Sequence, residues 1–160
     1  MSPTEVKRLI DRFYQVSTGI LIRSEAIIDK LVGDEVTAFF SPGMAGPEYV
    51  GKSVRAAEEL LLETGHKDPD GPWAPVGIGV HTGVAFFGTV GKSEGMIDVT
   101  ALGDAVNVAA QLASMAKAGE ILLSGETVQG AALDPGQMEQ RTLTLKGKSK
   151  PFEAYVKGMG

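Results

Sequence analysis

Ile97-Asp-Val-Thr-Ala-Leu-Gly-Asp-Ala-Val-Asn-Val-Ala-Ala-Gln-Leu112 reads as a strand that turns sharply into a helix. Gly103 permits the turn, Asp104 is placed to cap the helix start, and Asn107 and Gln111, spaced i and i+4, project from one helical face. Thr100 lies at the same strand-to-helix junction. Two amides therefore face one ligand, a geometry suited to nucleotide binding.

Working outward, Pro75 to Gly83 and Val84 to Val90 read as successive strands, and Gly119 to Ser124 as another after the helix. From Glu5 to about Ile22, the apolar residues Val6, Leu9, Ile10, Phe13 and Tyr14 follow the spacing of a helix with one buried stripe. Ala26 to Val32 and Glu35 to Phe40 form a predicted hairpin, with Gly33 and Asp34 at its turn. Ser41 to Pro47 is expected to be loop, and Ser53 to Thr64 a second helix stopped by Gly65. His66 to Pro75 is a polar connection, Gly130 to Gln140 a weak segment, and Arg141 to Leu145 with Phe152 to Val156 a closing strand pair. Helices and strands alternate without repeats, which suits an α+β sandwich of a mostly antiparallel sheet with helices on one face.

The 160 residues fit one domain, 1–160, and a hydrophobic content of 43% supplies a core without any apolar run long enough for a membrane span. Lys7, Arg8, Asp11 and Arg12 interrupt the start of the chain, which speaks against a secretory signal. The absence of cysteine excludes disulfides, thiolate metal sites and thiol nucleophiles, and agrees with a cytoplasmic setting. A net charge of −5 with scattered Lys and Arg argues against nucleic acid as a partner.

Lys30-Leu-Val-Gly-Asp-Glu-Val36, Pro75-Val-Gly-Ile-Gly-Val-His-Thr-Gly83 and Ile97 to Leu112, in that order, resemble the catalytic domain of the class III purine nucleotide cyclases. The resemblance runs from about Pro3 to about Lys157. It implies a ferredoxin-like sandwich, a βαββαβ core with C-terminal strand additions, in which the usual first strand, roughly Phe-x-Asp-Ile, has no counterpart ahead of Pro3. It also implies conversion of ATP to cyclic AMP and pyrophosphate with Mg²⁺ or Mn²⁺, two ions clamping the entering and leaving oxygens.

By the same resemblance, Asp34 matches the second of two metal-binding aspartates, while the first falls on the strand that is lacking. Lys30 and Thr100 match the pair that reads the base. A lysine donor suits adenine N1 and a threonine oxygen suits the exocyclic amine, so ATP is favoured over GTP. Asn107 matches the ribose-orienting asparagine, and Lys146, in Leu145-Lys-Gly-Lys148, a lysine that contacts the triphosphate. Gln111 stands where the family usually carries an arginine for the α-phosphate. Losing such a transition-state donor costs about 2.7–4 kcal/mol, so the resemblance implies weak activity or none. Taken singly, a Gly-Asp turn, a strand lysine, a strand threonine and a mobile basic loop all have ordinary structural explanations.

The family's site lies between two head-to-tail chains, which implies a homodimer or a cyclase-like partner chain. Lys30 and Asp34 would then serve different sites, and Thr89 to Gly95 resembles the arm joining the chains, although a plain hairpin turn fits as well. A non-catalytic cyclase-like module for regulation or dimerisation is the alternative. Gly88-Thr-Val-Gly-Lys-Ser93 imitates a phosphate-binding loop but has Phe86 where the first glycine belongs, and Gly77, Gly79 and Gly83 miss the dinucleotide spacing. His66 and His81 lack ligand-spaced partners, His81 reading as a packed strand residue. Phe39, Phe40, Trp73, Phe86 and Phe87 read as core or interface.

Overall fold

The computed structural model describes residues 1–91 and 97–158, with the backbone alone at 86–91 and 97–102. The elements are α1 (Pro3–Arg23), β1 (Ile27–Val32), β2 (Glu35–Phe39), α2 (Pro42–Ala45), α3 (Tyr49–Glu63), β3 (Ile78–Val80) and β4 (Phe86–Gly91). They continue with β5 (Ile97–Leu102), α4 (Asp104–Met115), β6 (Ile121–Ser124), α5 (Gly125–Gly130), a 3-10 turn (Pro135–Gln137), β7 (Glu139–Leu143) and β8 (Phe152–Lys157).

A capping box opens α1: the Ser2 hydroxyl accepts from the Glu5 amide, and the Glu5 carboxylate accepts from the Ser2 amide. Its stripe buries Phe13, Ser17 and Ile20, whereas Val6, predicted to belong to it, is 40% exposed. The segment 41–47 expected to be loop contains α2, because Ser41 accepts a cap hydrogen bond from the Met44 amide and Pro42 is preset for the first helical turn. The second long helix begins at Tyr49, one turn before Ser53. Gly130 to Gln140 holds the end of α5 and the 3-10 turn.

β1 and β2 form the antiparallel hairpin, in which Gly33 takes φ +58° at the turn. The register slips between Ile28 and Lys30, so Asp29 is a bulge and the facing of Lys30 is reset relative to a regular strand. β3, β6, β8 and β7 form the larger sheet in that spatial order; β3 pairs parallel with β6, and the other ladders are antiparallel. β4 and β5 form a separate antiparallel ribbon. Among the described residues the β1–β2 hairpin shares no ladder with the larger sheet, and α1 packs on both the hairpin and α3.

β6 holds the core together because it is buried along its whole length. Ile121 and Leu123 pack with Val54, Ala57 and Leu61 of α3 and Val128 of α5, whereas Leu122 meets Val108 and Leu112 of α4, Leu145 and Ala154. Helices thus cover both faces of this sheet, not one as the element order suggests. The unbroken run Ile121-Leu-Leu123 is the sequence of a strand with no solvent side. Among the described residues, no helix is long and apolar enough to cross a membrane.

β3 and α4 approach so closely that a Cβ at Gly79 would stand 2.7 Å from the Ala109 carbonyl oxygen and 2.8 Å from Leu112 Cβ. Replacing Gly79→Ala forces the helix off the strand, and overpacking of this kind costs about 1–3 kcal/mol. Urea unfolding is expected to show that loss, together with a fall in whatever ligand affinity α4 supports.

Candidate functional site

The turn at Gly103 sets the direction of α4. Gly103 is the N-cap, with φ +128°, a conformation open to glycine alone, and among the described residues no side chain caps the helix. Asp104, predicted as the cap, occupies the first helical position and instead pairs through its carboxylate with the Lys148 ammonium. Positive φ at Gly103 aligns the chain for the helix without a capping side chain, which leaves the aspartate to the neighbouring loop.

Asn107 is exposed on α4, and its amide has no hydrogen-bond partner among the described residues. An exposed side chain in this state makes no buried helix-to-strand hydrogen bond among the described residues. Gln111, one turn further, is engaged: its Oε1 accepts from the Lys146 amide at 2.7 Å and its Nε2 donates to the Lys146 carbonyl at 3.3 Å. The two amides that the helical spacing aims in one direction thus differ in state, Asn107 open and Gln111 holding the β7–β8 loop. The Lys146 side chain is exposed.

Lys30 and Asp34 lie on the β1–β2 hairpin, both exposed and without ion pairs among the described residues. The hairpin tip is tied down by Tyr14 of α1, whose hydroxyl donates to the Gly33 carbonyl next to Asp34. Tyr14 read as a stripe residue in the sequence; its polar end is what anchors the turn, as the dual character of tyrosine allows. The backbone of Thr100 pairs with Gly88 in the β4–β5 ribbon, and its side chain lies outside the described part of the chain. The arm-like turn Thr89 to Gly95 likewise falls largely on residues 92–96, outside the described residues.

No ladder, hydrogen bond or ion pair joins Lys30 or Asp34 to α4 among the described residues. Hollows of about 440 Å³ at His66, Lys67, Pro72, Ala118 and Gly119, and of about 330 Å³ between α5 and Tyr155, contain none of the candidate residues. Nor do the described residues hold any group of three or more His, Asp or Glu able to bind a metal ion. Asp34 alone falls short of the carboxylate set that a two-ion clamp requires.

The histidines are structural in different ways. His66 Nε2 accepts from the Val76 amide at 3.3 Å while Nδ1 lies 3.1 Å from the Leu61 carbonyl, so the ring joins the end of α3 to the approach to β3. His81 directly follows β3 and packs edge-on against Phe152, its Nδ1 buried without a partner among the described residues. Burial lowers its pKa, and Glu126 and Asp104 oppose the shift only in part. Trp73 donates from Nε1 to the Glu63 carbonyl at 2.9 Å and lies under the Arg12 guanidinium, a structural role.

The profile of the adenylate and guanylate cyclase catalytic domain matches residues 63–157. This chain belongs to that family. Among curated relatives, an adenylate cyclase of Anabaena cylindrica is 26% identical over 97% of this chain and 32% of its own length, and adenylate cyclase 1 of Rhizobium meliloti (strain 1021) is 28% identical over 96% and 24%. The chain therefore spans about a third or less of the relatives' lengths. The guanylyl cyclase Cya2 superposes with a TM-score of 0.84 at 23% identity, covering 100% of this chain and 84% of that one. The adenylyl cyclase CyaB from P. aeruginosa gives 0.75 at 26%, covering 98% and 83%. The fold is the ferredoxin-like α+β sandwich of these cyclase domains.

The lowered pKa of His81 makes stability depend on pH. Below the ordinary imidazole value of 6.5, the unfolded chain takes up a proton that the folded chain resists, so stability falls as pH drops towards the lowered folded pKa. Comparing urea unfolding at about pH 7.5 and about pH 5.5, His81→Phe is expected to lose less stability than the unaltered chain on this step.

Proposed function

We propose that residues 1–160 form one nucleotide cyclase unit of the adenylate type, which in an assembled protein converts ATP to cyclic AMP and pyrophosphate for cyclic-nucleotide signalling. The observation that carries this reading is the open state of Asn107: an amide on an Ala- and Val-rich helix, exposed and unpartnered among the described residues, in a chain of the cyclase family. In the reaction the nucleotide's 3′-oxygen bonds to its own α-phosphorus, its proton is lost, and the bond to the bridging oxygen of pyrophosphate breaks. Asn107 holds the ribose for that attack, Lys30 and Thr100 read adenine, and the Lys146 ammonium meets the triphosphate. Mg²⁺ or Mn²⁺ would neutralise phosphate charge, with Asp34 as a carboxylate ligand. The described residues do not complete such a site.

A site shared between two chains, as a homodimer or with a cyclase-like partner, fits Asp34, which no ladder, hydrogen bond or ion pair joins to α4 among the described residues. A guanylate cyclase domain from Catenaria anguillulae with a similar fold forms a complex with GTP, which supports a purine nucleotide as the ligand here. A regulatory or dimerisation module without turnover is the second reading. The engagement of Gln111 favours it, since a neutral amide bound to a loop supplies no charge to a transition state.

Incubated alone with ATP and Mn²⁺, this chain is expected to make cyclic AMP at well under about 1 per second, the low end of ordinary enzyme turnover; faster production contradicts the weak-activity reading. Titration with ATP is expected to show binding that Asn107→Ala weakens about 2- to 10-fold, the worth of one hydrogen bond. An unchanged affinity removes Asn107 from the site.

A further inference from the structure

The loop that joins β7 to β8 is fastened to α4 at two places. Gln111 grips both backbone polar groups of Lys146, accepting from its amide at 2.7 Å and donating to its carbonyl at 3.3 Å. Lys148 pairs with the Asp104 carboxylate. Between the two ties the loop closes a tight turn, the Lys148 amide donating to the Leu145 carbonyl at 3.2 Å with Gly147 at φ +80°. Leu145 is buried against Val108 and Leu112 of the same helix.

Asp104 and Gln111 are seven positions apart, about 10 Å along the helix axis, and Asn107 lies between them. The fastened backbone therefore runs beside the stretch of α4 from which Asn107 projects. Lys146 loses the freedom of a loop residue at its backbone only. Its ammonium makes no hydrogen bond or ion pair among the described residues.

We propose that Gln111 is a positioning residue, acting through Lys146 and not on the reacting phosphate. By holding the Lys146 amide and carbonyl together, it fixes the root of the lysine so that the ammonium reaches the polyphosphate of a nucleotide whose sugar rests on Asn107. This rests on the nucleotide reading above. It also reverses the expectation for the variant nearest to the usual family pattern. Arginine has five donors and no acceptor, so Gln111→Arg leaves the Lys146 amide without its partner and frees the loop. Glutamate keeps an acceptor for that amide and loses only the donation to the carbonyl.

Amide exchange at Lys146, followed by NMR on the whole chain, tests the clamp without any ligand. Protection is expected in the unaltered chain and in Gln111→Glu, and its loss in Gln111→Ala and Gln111→Arg. Equal exchange in all four overturns the clamp. Titrations with ATP and with adenosine test the positioning role: Gln111→Ala is expected to weaken ATP about tenfold and leave adenosine unchanged. Equal losses for the two ligands, no loss for either, or tighter ATP binding by Gln111→Arg overturn the role. If the unaltered chain protects the Lys146 amide but binds neither ligand, the nucleotide reading fails, and the positioning role fails with it.

Discussion

The close approach of α4 to β3 is the constraint on which the rest depends. At Gly79 the strand presents no side chain, and the helix backbone at Ala109 and the Leu112 side chain occupy the space a Cβ would need. Gly77 repeats the device at the helix end, where a Cβ would stand 2.5 Å from the Ala116 carbonyl oxygen. With α4 seated this closely, Val108 and Leu112 reach Leu122 on β6, and the opposite face of β6 remains free for α3 and α5. Close packing leaves little slack in such an arrangement, so α4 has little room to shift against β3.

From that seat the polar chemistry divides. The buried side of α4 contributes to the core, while Asp104, Asn107 and Gln111 are left with their polar groups away from it. Two of the three attach to the β7–β8 loop, and the third stays open. The hairpin carrying Lys30 and Asp34 is organised separately, by packing on α1 and by the Tyr14 bond to the Gly33 carbonyl.

Much of this was legible in the chain. Local rules identified α1, the hairpin with its Gly33-Asp34 turn, the strand-to-helix junction at Gly103 and the closing strand pair, because each rests on short-range periodicity or on a residue suited to a turn. The partners of polar side chains were not legible. Asp104 read as a cap, since nothing nearby in the sequence announces that Lys148, far along the chain, would claim it. Nor does anything local announce that Gln111 would engage the Lys146 backbone. The bulge at Asp29 also escaped notice, because an extra residue in one strand shows only against the register of the other.

The sequence by itself determined the kinds and order of the elements, the glycine positions where backbone must turn or pass close, and, through the ordered motifs, the family. Those properties depend on neighbours within a few residues, or on patterns that survive without coordinates. Only the tertiary structure decided that helices cover both faces of the main sheet, that Asn107 stays open while Gln111 is engaged, and that the lysine loop is fastened to α4. Each of these is a choice of partner across a long stretch of chain, and packing geometry makes that choice when several donors and acceptors of equal local merit compete.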